Sequence, residues 1–566
     1  MRVGRLSATA GLAAILFLPS LFFAQIRPAV ALIGHVTSAE EGQMEGVVVS
    51  ARRAGSTITV SVVTDSEGQY RFAAARLEPG HYSLNIRAVR YDLDGDGSVE
   101  ITPHKATIAD LNLRKTRDLA AQLTNAEWLA SFPGTEEQKT SIRGCTHCHT
   151  LEVIARSHHD AGEFMQVLER MSNYPALAFP LMPQILPVQR QGPGEDPLER
   201  KQAARHKMAD YLCNVNLSSA KEWSYSFKTL PRPTGRATQV IMTEYDLAQP
   251  TRQPHDVIVD ADGIVWYDSF GEQILGKLDP RTGKTTEYTL PMIKPGAPTG
   301  SLDLQFDEDG NIWIANQFQA AILKFDKKTE KFQTWVMPPD LNRDYVQITE
   351  VSPGHHNVDG KVWVDDAGTW FLYRVDLATN KWETFEPFKV PRPNIYDVIS
   401  DAQNNLYFTV YGREHIGRID AKTGKITFYQ TPTPQSAPRR GMMDSQGRLW
   451  FGENRGDRIG MFDTKTERFQ EWAPPTPGNY PYDATVDKNG EAWSGGEYND
   501  RVLRLDPKTS QITEYLLPRE TNIRRVFVEN STTPVTFWVG NNHKASIIKL
   551  EPLDEAAQTE TAAVRR

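Results

Sequence analysis

The sequence predicts a mainly β chain: a small β-sandwich, then an α-helical domain, then a seven-bladed β-propeller. Three observations predict this. Short alternating strands with turn punctuation fill residues 33–115, helical spacing governs 120–218, and from residue 238 a strand-rich unit repeats almost to the end. At roughly 100–200 residues per domain, 566 residues accommodate all three. A hydrophobic content of 39%, with 12 Trp and 23 Phe, supplies their cores and excludes wholesale disorder. With 63 Lys+Arg against 71 Asp+Glu the net charge is −8, leaving no basic surplus for a nucleic-acid backbone.

Residues 1–31 carry Arg2 and Arg5, an apolar run from Leu12 to Ala24, and Ala29-Val30-Ala31. A charged start, an apolar middle and a small-x-small site predict a cleaved secretory signal and a periplasmic protein with no membrane span after cleavage. The run contains Pro19 and falls short of the ~20 apolar residues a span needs. The expected boundaries are then 32–118 for the sandwich, 120–220 for the helical domain, 238–552 for the propeller and 553–566 for a flexible tail.

In the first domain, Thr57–Thr64 and Gly80–Ala88 alternate as strands of a small sandwich. The phrases TDSEGQYRF and LEPGHYSLNIRA resemble the carboxypeptidase regulatory-like domain, which implies a non-catalytic docking or stabilising module. Asp92, Asp94, Asp96 and Glu100 have the look of a calcium loop, but the twelfth position from Asp92 is Pro103, so a solvated hairpin turn is the preferred reading.

The strongest chemical signal is Cys145-Thr146-His147-Cys148-His149. Two thiols and an adjacent imidazole at this spacing attach one covalent haem c, with His149 as axial ligand. A thioredoxin-like pair would need a βαβ setting, and zinc would need further Cys or His ligands. The segment, ending in ADYLCNVNL, resembles class I cytochrome c, whose last helix packs across the first. That resemblance points to Met182, followed by Pro183, as sixth ligand and second metal-binding residue; His147, His158 and His159 are the distal alternatives. Cys213 is left as an inert thiol in the last helix.

The C-terminal repeat reads D-x-x-G-x-x-W, a polar turn, then I-G-x-x-D-x-x-T and an E-[YFW] strand. Its aromatic anchors are Trp266, Trp313, Trp363, Tyr407, Trp450, Trp493 and Trp538, at steps suited to four-stranded blades. The seventh unit lacks its outer strand, which is expected upstream as Val240–Leu247. These blades resemble the virginiamycin B lyase (streptogramin lyase) family. That resemblance implies opening of an ester ring by elimination, with a His base and carboxylates around Mg²⁺. Pro254-His255-Asp256 stands at the family's offset before the blade Trp. The family's upstream Glu is Gln253 here, however, and no Glu follows Trp266, so the constellation is incomplete.

The same offset brings His255, Tyr396, Arg439 and Tyr482 to one mouth of the channel, with Arg440 one position on, in an otherwise Asp series of Asp256, Asp303, Asp397 and Asp483. Glu453 and Glu497 follow the Trp of their own blades. Those residues are the catalytic candidates; the Asp series is expected to be structural, tying blade to blade. The main functional expectation is electron transfer by an exported haem protein, as part of a periplasmic oxidoreductase whose propeller binds a small-molecule substrate or a redox partner. The alternatives are a streptogramin-type lyase acting from the funnel and a non-enzymatic electron-transfer or binding protein.

Overall fold

The computed structural model describes residues 29–186, 198–218, 220–389 and 393–553. Most of the expected signal and the tail, together with the end of the Pro-rich loop, lie outside the described residues. The chain is mainly β.

In the first domain, Val30–Ser38 pairs with Gln69–Ala73, and Val48–Arg53 lies between Ile58–Val63 and Gly80–Arg87. Alternate residues of these strands (Leu32, Val36, Val49, Ala51, Tyr70, Phe72, Leu84) meet in one core. The 92–100 segment is a turn between two sheets rather than the expected hairpin: Tyr91–Leu93 pairs with Leu111–Lys115 and Ser98–Ile101 with Gly80–Arg87, and Asp96 accepts the Ser98 N–H at 3.1 Å.

The propeller consists of six four-stranded sheets and a seventh that is shared. The first blade runs through Val257–Val259, Val265–Asp268, Ile274–Asp279 and Lys284–Thr289. In the seventh, strands from 526–552 are completed by Val240–Asp246, antiparallel to Ser546–Pro552 with Val240 opposite Pro552. The outer edge of that strand is not free. Ile58–Val63 of the sandwich pairs with it, giving one eight-stranded sheet across both domains. Arg76 clamps Glu551 with two bonds of 2.9 and 3.0 Å, and Arg87 reaches Asp500 at 2.6 Å, so the sandwich is pinned to the propeller rim.

The repeat motif has a local cause. The Asp that opens each D-x-x-G-x-x-W turn accepts the indole N–H six residues on: Asp260 from Trp266 and Asp307 from Trp313 at 2.9 Å, Asp444 from Trp450 and Asp487 from Trp493 at 3.0 Å. The indole body then fills the seam between neighbouring blades, as Trp313 does against Trp335 and Val364. Ring closure uses the same device: Trp538 of the last blade shares a core with Val257 and Tyr267 of the first.

Among the described residues, five α-helices lie between sandwich and propeller: α1 (Asn125–Ser131), α2 (Glu136–Ser141), α3 (Leu151–Ala155), α4 (Ala161–Met171) and α5 (Leu198–Val215). Capping boxes on Thr124, Thr135 and Asp160 start α1, α2 and α4. Trp128, Phe132, Leu151, Phe164 and Leu212 bury together. Here the sequence expectation is corrected in part: α5 lies chiefly against α4 and touches α2 and α3, and the helices form a cap on the propeller rather than a cytochrome fold established by itself. No helix among the described residues is long and apolar enough to cross a membrane.

Candidate functional site: a capped funnel with two rings

The first strand of each blade begins at the central channel, so two consecutive residues per blade make two stacked rings. The inner ring is Asp256, Asp303, Glu350, Asp397, Arg440, Asp483 and Arg525. Arg440 is fully buried, donates twice to Asp256 at 2.8 and 2.9 Å, and donates through Nε to Glu350 at 2.8 Å. Arg525 pairs with Asp303 and lies 3.5 Å from Asp256. The carboxylates also accept backbone N–H groups from the next blade: Asp256 from Leu304, Asp303 from Val351, Asp397 from Gly441 and Asp483 from Val526. Burial pushes Asp397 up to about 7 and raises Asp303, Glu350 and Asp483, while the Arg440 guanidinium overrides burial at Asp256 and holds it below the usual carboxylate range. This ring is scaffold.

The outer ring is His255, Leu302, Thr349, Tyr396, Arg439, Tyr482 and Arg524. Because Asp256 is ionised, His255 Nδ1 donates to it at 2.6 Å; the other nitrogen, Nε2, then accepts from the Tyr482 hydroxyl at 3.1 Å. Tyr482 in turn meets the Tyr396 hydroxyl. Burial, reinforced by the Arg440 and Arg524 charges, lowers the His255 imidazole to about 3, so it is neutral at neutral pH. Arg439 stacks 3.7 Å over the Tyr482 ring and donates to Glu497 at 2.6 Å; Arg524 donates to the other Glu497 oxygen, also at 2.6 Å. Among the described residues, Arg439 Nε and Arg524 Nε and Nη2 are buried without acceptors.

The helical cap sits over this ring. Its backbone meets the propeller where the Ala126 N–H donates to the Tyr498 carbonyl at 2.9 Å, and Arg143 donates to the Tyr480 hydroxyl at 2.5 Å. Across the mouth, Gln184 donates to the Gly271 carbonyl at 2.8 Å and accepts the Thr299 N–H at 2.7 Å. Leu177 packs with Phe270, Leu302 and Phe318. The CxxCH segment therefore faces the funnel: His147 is pushed to about 3 by burial, with Arg524, Glu497 and Arg439 acting on it.

The sequence-predicted candidates divide accordingly. His255, Tyr396, Arg439, Tyr482 and Glu497 come together; Arg440 belongs to the inner ring. Glu453 does not join them. It is buried in its own blade beside Glu471, raised to about 8 by burial and by that neighbour. Arg524, Arg525 and Glu350 were missed by the fixed offset. The longer hairpin between Val526–Glu529 and Thr536–Asn541 shifts the seventh blade, and a register shift between Ile348 and Val351 displaces the third. His356 Nδ1 donates to the Pro353 carbonyl at 2.7 Å and its ring lies tilted against Trp313, a turn role.

The residues do not fit Mg²⁺. Among the described residues no group of three or more His, Cys, Asp or Glu side chains is placed to hold a metal ion, and the inner-ring aspartates are taken up by guanidiniums and backbone amides. They do fit haem attachment. Cys145 and Cys148 are free thiols, and His149 Nδ1 donates to the Thr150 carbonyl at 2.9 Å, which leaves Nε2 as a ligand atom. Met182 sits half-buried in a turn, its N–H donating to Phe179. Cys213 is half-buried, 3.9 Å from the Ser218 hydroxyl.

Fold and site together define a β-propeller protein with a charged, capped funnel. The Virginiamycin B lyase family pattern matches residues 383–561, and the carboxypeptidase regulatory-like domain pattern matches residues 31–114. The chain thus carries a virginiamycin B lyase-like propeller and a carboxypeptidase regulatory-like domain. Among solved structures, virginiamycin B lyase from Staphylococcus aureus is 23% identical with a TM-score of 0.47, covering 55% of this chain and 99% of its own. A streptogramin B lyase structure is 24% identical with a TM-score of 0.48, covering 56% and 99%. No curated protein matches the chain. The match to a lyase family overturns the main functional expectation, haem-based electron transfer, in favour of its lyase alternative.

Proposed function

We propose that the protein is a lyase of the streptogramin type that eliminates a carboxylate from an ester at the propeller funnel. The observation that carries this reading is the outer ring itself. A neutral His255, oriented by Asp256 and linked through Tyr482 to Tyr396, stands beside guanidinium N–H groups of Arg439 and Arg524 that have no acceptor among the described residues. In the proposed reaction Tyr396 takes the proton from the carbon next to a carbonyl while its own proton passes through Tyr482 to His255 Nε2. The released electron pair forms a carbon–carbon double bond, the neighbouring carbon–oxygen bond breaks, and the carboxylate leaves toward Arg524. Asp256 stabilises the imidazolium that forms, and Arg439 and Arg524 stabilise the oxyanion developing on the carbonyl. Gln253 replaces the acid of the related family, so the proton acceptor here is the Tyr–His relay.

The test is incubation with virginiamycin B followed by mass spectrometry. Elimination opens the ring without changing the mass and creates a conjugated double bond, whereas hydrolysis adds a water. A hydrolysed product, or an intact ring under saturating protein, refutes the proposal.

The cofactor belongs to the same account. Cys145 and Cys148 would hold a covalent haem c and His149 its iron, as a fixture of the cap; the group supplies an iron able to take one further donor. Peroxidase staining of the denatured protein tests the attachment. Export to the periplasm and a small-molecule substrate complete the proposal, and fractionation of expressing cells tests the first of these.

A further inference from the structure

We propose that His543, from the last propeller blade, is the second axial ligand of the iron held by His149, so that the haem clamps the helical cap onto the propeller. This rests on the covalent haem reading above. His543 lies in the turn between Thr536–Asn541 and Ser546–Pro552, on the blade that also supplies Arg524. Both of its ring nitrogens are sealed from solvent, and neither meets the geometry of a hydrogen bond among the described residues. A buried imidazole with two idle nitrogens is a rare arrangement, because each forgoes a bond that water would have given it. Its surroundings say what it waits for. The backbone of His147 lies beside it, so the ring faces the attachment motif itself.

The neighbouring Asn542 has a side-chain amide with no partner at either end, and Asn522 of the same blade is in the same state. The last blade thus carries several unsatisfied polar atoms besides the two imidazole nitrogens. Met182 is set differently. Its loop is tied through Gln184 to Gly271 and Thr299 on the first blade and the connection after it.

The experiment uses the full-length protein matured with haem, read by absorption and electron paramagnetic resonance. The wild-type iron is expected to be low-spin, with a bis-imidazole signature and no methionine-to-iron charge-transfer band. His543→Ala is expected to convert it to high-spin and to open it to cyanide or added imidazole, and His543→Met to restore a low-spin state with a new spectrum. Met182→Ala is expected to change nothing. A methionine charge-transfer band in the wild type overturns the inference without any variant, so a His543→Ala protein that fails to fold does not shelter it. Low-spin iron in His543→Ala also overturns it. If the wild type carries no covalent haem at all, it is the underlying cofactor reading that falls, and the staining result separates that outcome from the others.

Discussion

Two arginine pairs, Arg439–Arg440 and Arg524–Arg525, run side by side from the fifth and seventh blades, and their members behave in opposite ways. Arg440 and Arg525 are locked among carboxylates, and the aspartates among these also accept backbone N–H groups from the next blade. Arg439 and Arg524 share a single carboxylate, Glu497, and retain N–H groups without acceptors. One step along a strand turns a side chain to the opposite face, so a two-residue cassette supplies a scaffold and a site from the same strand end. Satisfaction of hydrogen bonds, rather than charge or burial, tells the two apart.

The contrast can be broken by substitution. Arg440→Met leaves Asp256 and Glu350 buried without their cation, and loss of one member of a buried pair costs about 3–5 kcal/mol; chemical denaturation should show that loss. Tyr482→Phe removes the link between His255 and Tyr396 while keeping the ring under Arg439. It should lower ring opening by about 100-fold, the low end for a proton-transfer group, at nearly unchanged stability.

His255 gives a pH signature. Its folded pKa of about 3 lies below the ordinary histidine value near 6.5. The unfolded chain therefore binds more protons between those values, so the stability contribution is complete above about pH 6.5 and drains away as pH falls toward 3. Between pH 6.5 and 5, wild type should lose about 2 kcal/mol relative to His255→Gln, at about 1.4 kcal/mol per pH unit. Parallel stability curves for the two proteins would place a charged imidazole in the fold. The smallest effect is expected at the cap edge, where Tyr480→Phe removes the Arg143 bond. It should cost about 1 kcal/mol and quicken proteolysis of the cap without touching the inner ring.

Much of the scaffold was legible because its causes are local. An Asp that caps a tight turn and takes the indole N–H six residues later writes its own signature, and so the blades could be read one by one. The Asp series was likewise readable, since each acid serves a neighbour's backbone at a fixed strand position. The site was harder. Arg524 and Arg525 were hidden by a longer hairpin, Glu350 by a bulge, and His543 by lying in a turn with no repeat counterpart. The seating of CxxCH over the funnel depends on contacts between residues hundreds of positions apart, such as Arg143 with Tyr480. No period in the sequence encodes those. The same motif led the functional expectation toward electron transfer, because a chemically loud pentapeptide outweighed a propeller whose catalytic pattern was only partly kept.

The most direct measurement sets Arg524→Met beside Arg525→Met, following ring opening of virginiamycin B and denaturant stability in the same preparations. The two-ring account predicts that Arg524→Met keeps its stability within about 1–2 kcal/mol and loses about 100-fold in rate, as for a lost oxyanion donor. It predicts that Arg525→Met loses about 3 kcal/mol of stability while the folded fraction stays active. The reverse pattern, or equal rate losses in both, would contradict the division of the funnel into a scaffold ring and a reacting ring.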